Sequence, residues 1–154
     1  VVLAAIMSSC GNGTPKANMK SDVDSLCYAI GMAQSQGLKD YLVMRMGVDT
    51  TYLNEFIKGL NDGANAGEDK KQQAYFAGLQ IGQQVSTQMI AGLNQEIYGE
   101  DSTKQVSQNN FMAGFIAGTL EDTTIMTPIM ANEYAQTNLK AIKARQMQAQ
   151  YGDN

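Results

Sequence analysis

Histidine and tryptophan are both missing from the 154 residues, and only two prolines and two cysteines occur. Without histidine the chain lacks the usual general base near neutral pH, the usual partner of a Ser or Cys nucleophile, and the commonest metal ligand. Two cysteines cannot complete a four-ligand zinc site unless carboxylates take an unusual share. No residue is therefore assigned a catalytic or metal-binding role, and no cofactor is expected. Charge is sparse as well: charged residues are 17% of the chain and the net charge is −4. The eleven Lys and Arg are scattered, whereas phosphate neutralisation needs them clustered, so nucleic acid is set aside as a partner. With Pro15 and Pro128 as the two prolines, an uninterrupted helical body is permitted from about residue 21.

What is present is a chain with 44% hydrophobic residues, globular in composition and long enough for one ordinary domain or two small units sharing a core. It starts VVLAAIMSSCGNGTPKAN, without an initiator methionine, so its first residues are expected to have been lost. Val1 to Met7 is an apolar run far short of the roughly 20 residues that span a bilayer, but it suits the tail of a secretory signal. Small residues Ser8 and Ser9 then precede Cys10. The pattern resembles the lipobox of bacterial lipoproteins, with Met7 where Leu is usual and Ser9 where Gly is usual. The resemblance implies acylation at Cys10, a tether over the rest of residues 1–20, and a protein held at a membrane surface outside the cytoplasm by its lipid chains. The plainer alternative is an amino-terminal strand or helix with an incidental cysteine. Cys27, in DSLCYAIGM, reads as a buried, inert thiol.

The body reads as all-α, with about five helices. Ser21 or Asp22 caps the first, which carries Leu26, Ile30, Tyr41, Leu42 and Met46, is softly interrupted at Gly37, and stops at Gly47. Asp49 or Thr50 opens the second, with Leu53, Phe56, Ile57 and Leu60 on one face; it is expected to end in the loop GANAG. The third runs from about Asp69 to Ile97. Ser102 with Gln105 has capping-box form and predicts the start of the fourth. Thr127 and Pro128, as N-cap and first helical residue, open the last.

A repeat runs through this pattern. Tyr28 and Gly31 recur 47 residues on as Tyr75 and Gly78, while Phe56, Gly59 and Gly63 recur 55 residues on as Phe111, Gly114 and Gly118. Two helical-pair units over residues 21–126 are expected, followed by a connecting helix over 127–154. Each glycine inside a helix costs about 1 kcal/mol relative to alanine, so the repeated glycines need a reason. Glycines four apart leave a flat strip where another helix can approach closely. The expected contact set is Tyr28, Gly31, Phe56, Gly59, Tyr75, Gly78, Phe111, Gly114 and Gly118; the alternative is that the glycines mark fraying helix ends, which suits Gly63 best.

SLCYAIGMAQSQGLKDYL followed by VDTTYLNEFIKGLNDGANAG resembles the amino-terminal domain of bacterial FKBP-type peptidyl-prolyl isomerases, the group that includes the macrophage infectivity potentiator. Tyr28, Gly31, Val48, Asp49, Phe56, Lys58, Gly59, Leu60 and Asp62 fit its pattern. The second copy keeps Tyr75, Gly78, Phe111 and Gly114 without the lysine, and the last helix resembles the family's connecting helix. The resemblance covers residues 21 to 151. It implies a periplasmic, lipid-anchored protein whose helical domain dimerises and holds unfolded or proline-containing client proteins near a catalytic domain. The isomerase pattern itself does not occur in these 154 residues, so no catalytic residue carries over. The chain is thus expected to be either part of a longer enzyme or a stand-alone relative. Because it carries the unit twice, homodimer and internal pseudo-dimer are both expected forms of the pairing.

The alternative from a different class is a stand-alone helical lipoprotein that binds a partner protein or a small ligand and does no folding work. Met44, Met46, Met89, Met112, Met126, Met130 and Met147 would give a holdase an adaptable apolar surface, but the preferred expectation is that they fill a core. The acidic pairs Glu68/Asp69, Glu100/Asp101 and Glu121/Asp122 fall near predicted helix starts or loops, where helix-dipole complementation is the plain account, ahead of binding calcium.

Overall fold

The computed structural model describes residues 13–152. Cys10 and the apolar run before it lie outside the described residues. The described chain is all-α: seven α-helices, one 3-10 turn and one π-helical turn, with no strand among the described residues. The helices are α1 (Asp22–Gln34), α2 (Leu38–Met46), α3 (Leu53–Ala66), α4 (Lys70–Gln84), α5 (Ile90–Tyr98), α6 (Gln108–Thr119) and α7 (Pro128–Tyr151). Joined across two short irregularities, at 35–37 and 85–89, they make the five helical bodies expected.

Local chemistry sets most of the boundaries. Ser21 caps α1 in a full capping box: the Asp24 amide donates to the Ser21 hydroxyl at 3.1 Å, and the Ser21 amide donates to the Asp24 carboxylate at 3.0 Å. Gly47 ends α2 with φ 67, and the next amide, Val48, donates back to the Leu42 carbonyl at 2.9 Å, closing carbonyls that a continuing helix would have used. Asp49 turns the chain into the 3-10 turn Thr50–Tyr52, which leads directly into α3. Thr127 caps α7, accepting from the Met130 amide at 3.2 Å, with Pro128 in the first turn.

Two boundaries differ from expectation. First, α3 does not end at Gly63 but continues to Ala66, with Gly67 at its end, so Gly63 is helix interior rather than a fraying end. Second, α6 starts at Gln108 and is capped by Ser107, whose hydroxyl accepts from the Asn110 amide at 3.1 Å. Ser102 sits instead inside a turn in which Asp101 accepts from the Thr103 amide, and no helix follows it before Gln108.

Between α4 and α5 the helix does not break but widens. Residues Val85–Met89 form a π turn, in which the Ile90 amide donates to the Val85 carbonyl five residues back. The hydroxyls of Ser86 and Thr87 both donate to the Gln83 carbonyl, competing for the acceptor at the top of that turn. The extra residue brings Val85 and Ile90 round to neighbouring positions, and these two are buried.

The chain divides into two units between Phe76 and Ala77, a point that falls at the start of the second copy of the repeat, beside Tyr75. Among the described residues, the buried hydrophobics are Leu42 and Ala66 in the first unit and Val85 and Ile90 in the second. Within the second unit α5 packs against α7. There the Lys143 ammonium meets the Glu96 carboxylate at 2.7 Å, the Gln146 side chain donates to the Ile97 carbonyl, and Leu139 and Ile142 are half-buried. The Asn94 side chain accepts from the Val106 amide at 2.7 Å and ties the 99–107 connection to α5. No helix among the described residues is long and apolar enough to cross a membrane.

Gly47, at φ 67, adopts the left-handed backbone in which α2 ends. Gly47→Ala is expected to lower stability by about 1–2 kcal/mol, the cost of placing an L side chain in that region, read as a drop in urea midpoint at unchanged slope; an unchanged midpoint would show that α2 does not end as described.

Candidate functional site

The repeated aromatics and glycines fall where the periodicity puts them, on α1, α3, α4 and α6, but the structure does not bring them together. Tyr28 and Tyr75 are exposed, and Phe56 and Phe111 are half-buried. Phe111 stacks on Phe115, one turn along the same helix, at a ring separation of 5.8 Å; Tyr75 lies beside its neighbour Phe76 at 6.1 Å. A methyl group added at Gly31, Gly59, Gly63, Gly78, Gly114 or Gly118 would meet nothing within 4 Å. Within the described residues of one chain, each of these glycines opens onto free space. Cys27 is corrected from a buried thiol to an exposed one, because α1 buries none of its residues.

The same holds for the methionines. Met44 is 80% exposed, Met46 and Met147 are above 60%, and Met89, Met126 and Met130 are also exposed; Met112 alone of the seven is half-buried. The expectation that they fill a core is corrected: six of the seven are exposed. Also exposed are Leu26, Ile30, Tyr41 and Val43 on α1 and α2 of the first unit and, in the second, Ile129 and Tyr134 on α7. Methionine side chains exposed in this way are flexible and polarisable.

A second recurrent feature has clear geometry. In GVDTT (47–51) and GEDST (99–103) a positive-φ glycine is followed two residues later by an aspartate that accepts from the amide of the second residue on. The Thr51 amide donates to Asp49 at 2.8 Å and the Thr103 amide to Asp101 at 3.1 Å. These positions are 52 residues apart, between the two offsets of the aromatic repeat, so both copies leave a helix by the same device. A third turn of this kind joins Asp122 to the Thr124 amide at 2.9 Å, just after Glu121, which adopts φ 57. In each case the bonds from the threonine hold the carboxyl below the ordinary value of 3.8; for Asp49 the backbone amide of Thr51 dominates, and for Asp101 and Asp122 the hydroxyls of Thr103 and Thr124. Asp69 repeats the device after the positive-φ Gly67, accepting from the Lys71 amide two residues on, and with the Gln72 amide as a further donor it also caps α4. Of the acidic pairs, then, only Glu68/Asp69 serves a helix start; the other two shape turns. Among the described residues no group of three or more Cys, Asp or Glu gathers as metal ligands would.

Two shallow depressions complete the surface. One lies between α5 and α7 and is lined by Glu96, Thr137, Lys140 and Lys143; the other is on α1 beside Cys27, Tyr28 and Gly31. Neither surrounds an unpaired buried polar group, since none exists among the described residues. No family model, curated protein or solved structure matches the chain.

Two outcomes follow from this geometry. Gly59→Ala and Gly114→Ala, at open helix-interior positions, are each expected to raise the stability of the dilute chain by about 1 kcal/mol; a loss instead would reveal a close approach at those glycines. The lowered carboxyls place the turns' contribution fully above pH 3.8 and remove it as the pH falls through their lower folded values. In an NMR titration the amides of Thr51, Thr103 and Thr124 are expected to shift with midpoints below 3.8, and midpoints at or above that value would contradict the turns.

Proposed function

We propose that this chain is the dimerisation and client-binding module of a lipid-anchored, periplasmic peptidyl-prolyl isomerase of the FKBP type, acting as a holdase toward unfolded proteins. Two lines support the reading. The first is the resemblance of residues 21 to 151 to the amino-terminal domain of that group, strongest in Y-x-x-G and in the run from Val48 to Asp62. The second, and the observation that carries the client-binding half, is the exposure of apolar and methionine side chains along α1, α2 and α7. A holdase needs apolar surface that is available before its client arrives, and methionine supplies it without fixing one shape. On this reading the bare glycine strips of α3 and α6 meet a second copy of the chain or a client.

The binding role rests on surface alone and requires no ionisable group of perturbed character in a cleft, in keeping with a chain without histidine. Anchoring through Cys10 would keep that surface at a membrane where newly exported chains emerge.

The purified chain is expected to delay aggregation of a reduced or chemically unfolded client at ratios near one to one, and to lose much of that delay when Met44, Met46 and Met130 are replaced together by glutamine. No delay at a several-fold excess would leave the stand-alone ligand-binding lipoprotein as the better reading. Expressed in a bacterium with its native leader, the protein is expected to partition with membranes and incorporate labelled fatty acid, and Cys10→Ser to abolish both; a Cys10→Ser protein that stays membrane-bound would remove the anchor from the proposal.

A further inference from the structure

We draw no further inference here: the strongest candidate, the exposed apolar face that α1 and α2 carry through Leu26, Ile30, Tyr41 and Met44, belongs to the surface already proposed, and nothing in the structure shows which segment, copy or client covers it.

Discussion

The structure turns on a shortage of burial. Among the described residues each unit encloses two hydrophobic side chains, Leu42 and Ala66 in one and Val85 and Ile90 in the other. Side-chain burial of that extent cannot offset the conformational entropy of fixing three or more helices. Isolated helices of this length are marginal in water, and α1, α2 and α3 have 13, 9 and 14 residues. What holds them locally is capping: the Ser21 and Asp24 box, the Gly47 exit, and the Asp49 turn into α3. Caps define where a helix begins and stops, but each adds only about 1 kcal/mol. The apolar stripes therefore have to find cover for the helices to persist.

That constraint links fold to proposed role. On the proposed reading the helices complete their core by association, and folding and binding would draw on the same residues. The second unit departs from this most, since α5 and α7 are paired through Glu96, Lys143, Gln146 and Ile97. An exposed ion pair of this kind adds at most about 1 kcal/mol; the half-buried Leu139 and Ile142 beside it contribute through packing. The π turn at 85–89 serves the same end by bringing Val85 and Ile90 onto one side.

The sequence made some of this legible and left other parts hidden, for physical reasons. Helix periodicity and absent strand alternation identified the all-α class, and Thr127 with Pro128 marked the start of α7 because both residues act through their own backbone geometry. Ser102 misled because a capping box is a pattern of residue types, and Asp101 with Thr103 offered the backbone a turn that wins locally. The paired exits at Gly47 and Gly99 were readable in GVDTT and GEDST, but matching by aromatics and helical glycines alone passes over them. The burial of methionines and of Cys27 was not legible, since a stripe shows which face of a helix seeks cover and says nothing of what provides it.

The most direct test of this account is the dependence of thermal unfolding on protein concentration for residues 13–152 in solution. If the apolar faces of α1 to α3 and α7 are covered by association, the midpoint rises steadily over a hundredfold increase in concentration, as mass action requires, and sedimentation shows a species larger than a single chain. A cooperative transition at one temperature across that range, from a species that sediments as a single chain, would contradict it.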